Sequence, residues 1–236
     1  MKTKKNIVII PTFNESENIT NIINELKIFD LDILIVDDNS PDKTSQIVKK
    51  LMIKNKKIKI LERPRKLGLG SAYRDGFRYC IENDYENLIQ MDADFSHRIE
   101  DLKNMLTFIN SYEVIIGSRY IDGGGSIGWS RIRKILSKVA NIYAKIITKS
   151  NIYDMTSGFR IYSRNALEKI EYDKTKSDGY SFQIEMSVRA NNQKLKIKEV
   201  PIVFNERREG ESKMNLKIII EALFIVFKLR LGGFNN

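Results

Sequence analysis

Short apolar runs that alternate with amphipathic stretches constrain the fold of this chain more than any other feature. Five runs rich in isoleucine and valine have the length and composition of strands: residues 6–10, 32–36, 57–61, 87–91 and 113–117. Between these runs, apolar residues recur at helical spacing, as in Ile19, Ile22, Ile23 and Leu26. The alternation predicts an α/β fold with an open, mostly parallel sheet flanked by helices.

Polar clusters directly follow four of the predicted strands. They comprise residues 11–15, 37–40, 92–94 and 117–120. The carboxyl ends of parallel strands meet at one edge of a sheet, where ligands of such folds bind. We therefore expect the four clusters to converge there. In the second cluster, Ser40 followed by Pro41 also predicts a helix that starts with Ser40 as its N-cap.

The second half of the chain has a different pattern. Three consecutive glycines at residues 123–125 predict a mobile loop. Residues 131–150 predict a basic amphipathic helix, which either packs its apolar stripe in the core or lies on a membrane surface. That stripe consists of Ile132, Ile135, Leu136, Val139, Ile142, Tyr143 and Ile146. A second apolar helix, residues 215–230, is predicted to pack on the sheet, lie at a membrane surface or dock on a membrane subunit.

Composition narrows the class of protein. The formal net charge of +10 favours a polyanionic partner, namely nucleic acid, an anionic membrane or a phosphorylated substrate. The single cysteine, Cys80, excludes an internal disulfide framework and fits a reducing compartment. The most apolar stretch, residues 218–229, is interrupted by Glu221 and Lys228 and is shorter than the roughly 18 residues of a membrane span. We therefore expect a soluble or peripheral protein.

Two carboxylates, Asp92 and Asp94, flank the small Ala93 at the end of the fourth strand. Oxygen atoms on alternate residues can bind one hard cation, and Mg²⁺ or Mn²⁺ would complete its shell with diphosphate oxygens and water. Ser96 and His97 follow and could contribute nearby. The alternative is a solvated acidic loop, since this short motif is common. Asp37 and Asp38, after the second strand, suit hydrogen bonds from a ribose or a base.

Nine segments in order resemble the dolichol-phosphate (polyprenyl-phosphate) mannosyltransferase group of the inverting GT-A glycosyltransferases of family 2. They are IIPTFNESENI, IVDDNSPDKT, KLGLGSAYRDGF, MDADFSH, GSRY, GWSRIRKILS, TSGFRIY, GYSFQIEM and REGESK, between residues 7 and 213. The resemblance implies one Rossmann-like GT-A domain over residues 1–236. The apolar pattern of this sequence adds the C-terminal amphipathic helices and the expectation of no transmembrane domain. Residues 1–120 would bind the nucleotide sugar and residues 121–236 the acceptor.

The resemblance also implies roles for individual residues. It places the donor nucleoside at Pro11, Phe13, Glu15, Val36 and Asp38. It places the donor phosphates and the metal at Asp92, Ala93 and Asp94, with Ser96 at a position where some members supply a glutamine ligand. The acceptor phosphate is matched to Arg119, Arg133 and Ser137, and the donor phosphates also to Arg119, Arg207 and Lys213. Asp94, Arg119 and Arg133 are the implied catalytic residues.

The implied activity is inverting transfer of mannose from GDP-mannose to dolichyl or polyprenyl phosphate, with Mg²⁺ or Mn²⁺ as cofactor. A phosphate acceptor is ionised near neutral pH and needs no general base. Glu185, a candidate base for a hydroxyl acceptor, is therefore interpreted as structural or as orienting the arginines. The enzyme is expected in the cytoplasm, peripheral on the cytosolic face of a membrane, with or without an integral membrane subunit. Three alternatives stay open: another donor such as UDP-glucose, a non-catalytic nucleotide-sugar-binding subunit, and a nucleic-acid-binding protein.

Overall fold

A computed structural model describes residues 5–206 and 226–227 of the chain. The strands are β1 Asn6–Thr12, β2 Asp32–Asp37, β3 Ile58–Glu62, β4 Asn87–Gln90, β5 Val114–Ser118, β6 Gly125–Ile127, β7 Arg160–Ser163, β8 Ile197–Pro201 and β9 Val203–Asn205. The α-helices are α1 Ile19–Leu26, α2 Thr44–Lys54, α3 Leu69–Glu82, α4 Ile99–Leu106, α5 Arg131–Thr148, α6 Arg164–Ile170 and α7 Gly179–Asn192. A 3₁₀ turn covers Tyr172–Lys174. All five predicted strands are present, each close to its predicted range.

The central sheet has seven strands in the order β3-β2-β1-β4-β7-β5-β8. Strand β7 runs antiparallel to β4 and β5, whereas the other pairs in this sheet are parallel. Strands β6 and β9 form a separate, parallel two-stranded sheet. The predicted open, mostly parallel α/β sheet is therefore confirmed.

Helices cover both faces of the central sheet. In β1, Ile7 and Ile9 pack on the side of α3, α5, α6 and α7, whereas Val8 and Ile10 pack on the side of α1, α2 and α4. All four side chains are fully buried. A strand buried on both faces is a continuous apolar run, which explains why the pattern in β1 does not alternate.

The helix start predicted at Ser40 is wrong. Helix α2 begins at Thr44, and Lys43 occupies the N-cap position with a positive φ of 69°. The Ser40 hydroxyl donates to Asp37 Oδ1 at 2.6 Å, so it is engaged by the end of β2. The Asp42 carboxylate instead accepts a hydrogen bond from the Thr44 main chain at 3.0 Å.

The glycine-rich segment is in part a strand. Gly125 begins β6, which pairs with β9. At Gly124, a Cβ atom would lie 2.5 Å from the main-chain oxygen of Ser118, so only glycine permits this close approach. The predicted loop is thus shorter than the three glycines suggested.

Among residues 5–206 and 226–227, no helix combines the length and apolarity that crossing a membrane requires. The second amphipathic helix, predicted for residues 215–230, lies outside the described residues except for positions 226 and 227.

Close contact between α3 and the sheet depends on Gly76. A Cβ atom at this position would lie 2.7 Å from Ile9 Cγ2 and 3.3 Å from Val36 Cγ2. Both neighbours are fully buried β-branched side chains, so neither can move aside freely.

Replacing Gly76 with alanine should therefore lower the free energy of unfolding by about 1–3 kcal/mol through overpacking. The accompanying gain in helix propensity, at most about 1 kcal/mol, offsets only part of the loss. Urea unfolding would measure the change. Gly125→Ala is the control, because a Cβ there would meet no atom within 4 Å. An equal loss in both variants would contradict this account.

Candidate active site

The four polar clusters lie at one edge of the central sheet, as predicted. Strands β1, β2, β4 and β5 are parallel, so the loops that follow them share this edge. Because β7 is antiparallel, the segment that precedes it, residues 154–159, also lies there. This segment is not one of the four predicted clusters.

The loop after β1 is tied to the loop after β2. The Thr12 hydroxyl donates to Asp37 Oδ1 at 2.9 Å, and the main-chain N–H of Glu15 donates to Thr44 Oγ1 at 3.1 Å. Phe13 is half-buried, with the ammonium of Lys66 4.1 Å from its ring centroid. The structure thus holds the predicted nucleoside residues of these two loops side by side.

Two other residues predicted to contact the nucleoside lie within the strands of the central sheet. Pro11 and Val36 are paired in register on β1 and β2. The Val36 side chain is fully buried in the core, so it faces helix α3 and not an open pocket.

A buried ion pair engages Asp38, the predicted nucleoside residue that directly follows β2. Asp38 Oδ1 accepts from Arg63 Nε at 2.5 Å, and Arg63 also binds Asp75 at 3.0 Å. Although burial alone would lower it, the pKa of Arg63 is raised by Asp38 and Asp75. Arg63 was not predicted as a site residue. It directly follows β3, the one predicted early strand to which no polar cluster was assigned.

The acidic loop after β4 is folded back on itself by His97. Its Nδ1 atom accepts a hydrogen bond from the main-chain N–H of Asp92 at 3.1 Å. The His97 ring stacks on Phe159, with 4.5 Å between ring centroids. Phe95 has a positive φ of 60°, and Asp94 Oδ1 accepts from the Ser96 main chain at 3.1 Å. His97 therefore shapes the loop that carries both carboxylates.

The two carboxylates also affect a buried tyrosine behind them. Burial, followed by the negative charges of Asp92 and Asp94, raises the pKa of Tyr73 well above its ordinary value. Tyr73 is therefore a neutral phenol at physiological pH.

The donor set of this loop suits a hard divalent cation. Asp92, Asp94 and the Ser96 hydroxyl offer oxygen atoms only, and the Ser96 Oγ atom is buried without a hydrogen-bond partner among the described residues. Within residues 5–206 and 226–227, no group of three or more histidine, cysteine, aspartate or glutamate side chains is arranged to hold a metal. A cation here would thus need further ligands from substrate and water.

Arg119, after β5, is fixed by a buried ion pair with Asp154. Its main-chain N–H, Nε and Nη2 donate to the Asp154 carboxylate at 3.0, 2.7 and 2.7 Å, and Nη2 also donates to Thr156 at 2.8 Å. Although burial opposes it, the interaction with Arg119 lowers the pKa of Asp154. The Asp154 main chain is in turn held by Glu199, at 2.9 Å. The sequence analysis singled out neither acidic residue.

Trp129 brings the two predicted phosphate-binding arginines together. The guanidinium of Arg133 lies 4.1 Å from the Trp129 ring centroid and that of Arg119 lies 5.4 Å away. Arg133 also binds Glu206 at 3.1 Å. Trp129 Nε1 and Arg133 Nε are buried N–H donors without a hydrogen-bond partner among the described residues. Trp129 was missed as a site residue, although it is the only tryptophan of the chain.

Helix α5 docks on this site through small and polar side chains. Ser137, the third predicted acceptor residue, accepts from the Tyr120 hydroxyl at 2.6 Å. Asn141 donates to Thr156 at 3.1 Å and accepts from the Met155 main chain at 2.8 Å. The buried face of α5 consists of Ser137, Asn141, Ala144 and Thr148.

The opposite face of α5 is apolar and exposed, so the interpretation that its apolar stripe packs in the core is wrong. Six side chains of that stripe are 46–72% exposed: Ile132, Ile135, Leu136, Val139, Ile142 and Ile146. Tyr143, the seventh member of the predicted stripe, is partly buried against the core. Lys145 lies over the exposed Tyr153 ring. We call the six exposed side chains the apolar face of α5.

Of the remaining residues considered from the sequence, two are buried and two lie outside the described residues. Ala93 is buried beside the acidic pair. Glu185 is fully buried and accepts from the main chains of Lys176 and Ser177 and from Arg189, so its structural interpretation fits these contacts. Arg207 and Lys213 lie outside the described residues.

Comparison with known proteins identifies relatives over almost the whole chain. The model of the family described as glycosyl transferase family 2 matches residues 7–171. A polyprenol monophosphomannose synthase of Mycolicibacterium smegmatis is 40% identical over 235 residues, covering 98% of this chain and 89% of the relative. An undecaprenyl-phosphate mannosyltransferase of Micrococcus luteus is 38% identical over 229 residues, covering 96% of this chain and 94% of the relative.

A similar fold is found among solved structures. The mannosyltransferase PcManGT of Pyrobaculum calidifontis, solved with GDP-Man and Mn²⁺, has a TM-score of 0.58 and 15% sequence identity. The match covers 99% of this chain and 74% of that protein. The expected GT-A fold is thereby confirmed.

Asp154→Asn should lower the free energy of unfolding by about 3–5 kcal/mol, because it leaves the buried Arg119 guanidinium without its counter-charge. The lowered pKa of Asp154 means that its stabilisation is present above about pH 4 and is lost as the pH falls through the lowered pKa. Urea unfolding at pH values from about 3 to about 7 would test both statements.

Asp30→Asn is the matched control for this prediction. Asp30 also pairs with a cation, Lys57, but its side chain is 97% exposed. Its loss should leave the unfolding midpoint almost unchanged at every pH. Similar effects of the two substitutions would show that the buried Arg119–Asp154 pair contributes no more to the free energy of unfolding than an exposed ion pair.

Proposed function

This chain belongs to glycosyl transferase family 2, and on that basis we propose that it transfers mannose from GDP-mannose to a polyprenyl or dolichyl phosphate. The two curated relatives at 40% and 38% identity carry names of this activity. The observation that carries the proposal is the pairing of Arg119 and Arg133 around Trp129, at the same sheet edge as Asp92 and Asp94. Residues 1–236 would form one catalytic domain, with a donor half up to residue 120 and an acceptor half after it.

The donor binds, in this proposal, along the ends of β1, β2 and β4. The nucleoside is assigned to Pro11, Phe13, Glu15 and Asp38, and to the main chain at Val36, because the Val36 side chain is buried against α3. The diphosphate and a divalent cation are assigned to Asp92, Ala93, Asp94 and Ser96, with Arg119. When bound, the cation would neutralise charge that develops on the leaving diphosphate. The assignment of Mg²⁺ or Mn²⁺ rests on the oxygen donors of this loop, and that of Arg207 and Lys213 to the diphosphate rests on the sequence resemblance.

The acceptor phosphate is assigned to Arg119, Arg133 and Ser137. Support comes from the two arginines, whose cationic groups lie on one indole ring. Further support comes from the buried N–H groups of Trp129 and Arg133, which have no hydrogen-bond partner among the described residues. Such donors near two guanidinium groups suit a phosphate oxygen.

The proposed reaction is a single displacement. An oxygen of the acceptor phosphate attacks C1 of the donor sugar, while the bond between C1 and the diphosphate oxygen breaks. The electron pair of that bond leaves with GDP, and the configuration at C1 is inverted. The phosphate monoester is ionised near neutral pH, so no side chain has to remove a proton. Arg119 and Arg133 instead hold two anionic groups close together.

We also propose that the apolar face of α5 lies on a membrane surface. This face carries isoleucine, leucine and valine side chains that are exposed. The same helix exposes Arg131, Lys134 and Lys138, and Lys149 is exposed at its C-cap. Apolar burial and attraction to anionic lipids would act together. The proposal places Arg133 and Ser137 where the phosphate of a membrane lipid is located, on the cytosolic side. Recruitment by an integral membrane subunit is the alternative.

Transfer of radiolabelled mannose from GDP-mannose to a polyprenyl phosphate tests the reaction. Label should enter the lipid fraction with Mg²⁺ or Mn²⁺ and not with EDTA. Asp94→Ala should lower the rate about 100-fold or more, since it removes a group that acts on the leaving diphosphate. The exposed Asp173→Ala is the control and should transfer at the wild-type rate.

The outcomes of this assay separate the alternatives. Label from UDP-glucose but none from GDP-mannose would replace the donor and keep the reaction class. Retention of configuration at C1 would contradict the single displacement. A lack of transfer with every donor and metal would contradict the proposed activity.

Ile135→Asp and Ile146→Asp should each weaken binding to vesicles containing anionic lipid about tenfold or more, because each loses one buried aliphatic side chain. Co-sedimentation would measure the binding. Ile53→Asp is the matched control, since Ile53 is 78% exposed on α2, which packs on the opposite face of the sheet. Unchanged vesicle binding by both α5 variants would contradict the membrane proposal.

A further inference from the structure

A small gap beside the acidic loop is lined by Gly158, Asp92 and Gln183. A Cβ atom built on Gly158 would lie 3.8 Å from Asp92 Oδ2 and 4.0 Å from Gln183 Nε2. The carboxylate and the amide therefore face the same point in space. Gly158 and Asp92 are partly exposed, and both belong to segments at the sheet edge described above.

Gln183 lies on α7 with its side-chain amide buried and unengaged. The residue is 2% exposed, and neither Oε1 nor Nε2 has a hydrogen-bond partner among the described residues. Buried amides are normally paired, because an unpaired one loses its hydrogen bonds to water without replacement. The neighbouring side chains of the helix are engaged, with Ser187 bonded to Arg160 at 2.9 Å and Phe182 stacked on Tyr73.

We propose that the Gln183 amide hydrogen-bonds a hydroxyl group of the donor sugar and thereby contributes to donor specificity. The inference rests on the proposed function, which places the diphosphate at Asp92 and Asp94. The sugar is bonded to that diphosphate, so it has to lie within a few ångströms of Asp92. A neutral amide has both a donor and an acceptor, which match a hydroxyl group that also donates and accepts.

The glycine at position 158 supports the same assignment. Gly158 does not have a positive φ, so the backbone there does not require glycine. A Cβ atom would make only ordinary contacts with the protein, at 3.8 Å and beyond. The absence of a side chain leaves space between the Asp92 carboxylate and the Gln183 amide, which has no hydrogen-bond partner within residues 5–206 and 226–227. A buried water molecule that bridges the two groups is the competing explanation.

Two variants and two ligands distinguish these explanations. Gln183→Leu keeps the approximate size of the side chain and removes its hydrogen bonds, whereas Gly158→Ala fills the gap. Affinities for GDP-mannose and for GDP, each with Mn²⁺, are measured by calorimetry on the full chain. We expect both variants to bind GDP-mannose about tenfold or more weakly than the wild type, and GDP within about twofold, since only GDP-mannose carries the sugar.

Analogues of GDP-mannose that each lack one hydroxyl identify the partner group. For the analogue without the hydroxyl that Gln183 contacts, wild type and Gln183→Leu should bind alike. Wild-type binding of GDP-mannose by both variants would overturn the inference, and so would an equal weakening for GDP and GDP-mannose, which indicates a bridging water or general distortion.

Folding and donor identity are controlled separately. If Gln183→Leu does not fold, Gly158→Ala alone decides, because its added methyl group meets no close contact. Failure of the wild-type protein to bind GDP-mannose would overturn the proposed donor and this inference with it. Normal wild-type binding with unaffected variants would overturn the inference alone.

Discussion

The buried ion pair between Arg119 and Asp154 is the interaction on which the acceptor side of this structure depends. Removing two charges from water is unfavourable unless the geometry compensates, and here one carboxylate receives three hydrogen bonds from Arg119. The pair links the end of β5 to the segment before β7. Glu199 of β8 holds the same segment through the Asp154 main chain, and Thr156 connects it to Asn141 of α5. The end of β5, the segment before β7 and α5 are therefore all held in place around this ion pair.

The segment that contains Asp154 binds the polar face of α5 through Thr156 and Met155. This helix therefore buries its polar face and exposes its apolar face. Most surface helices bury their apolar stripe, whereas α5 buries Ser137 and Asn141 and exposes isoleucines. The amphipathic period in the sequence shows that two faces exist. It does not show which face packs against the rest of the protein. That depends on the hydrogen bonds that Ser137 and Asn141 form with Tyr120 and Thr156, which lie in other parts of the chain. The arrangement joins an anion-binding end and an apolar outer surface in one rigid element.

Features with a local cause were predictable from sequence, whereas those that need distant partners were not. The strands and the helices that alternate with them follow from hydrophobic periodicity. The convergence of the polar clusters at one sheet edge follows from strand direction. The structure confirms both. The N-cap at Ser40 failed because Asp37 competes for the same hydroxyl. Arg63 and Asp154 went unnoticed because their partners lie 25 and 35 positions away, and no local pattern marks such a pair. The roles of the individual site residues are still predictions.

The position of Trp129 has a spectroscopic consequence. It is the only indole of the chain, is 9% exposed and lies against both arginines. Its emission therefore comes from one environment, with no background from other tryptophans. An anion that approaches its N–H group and redistributes the two guanidinium charges changes the electric field across the ring. The protein thus carries an intrinsic fluorophore at the place where the two substrates meet in the proposed reaction, so occupancy can be followed without a label.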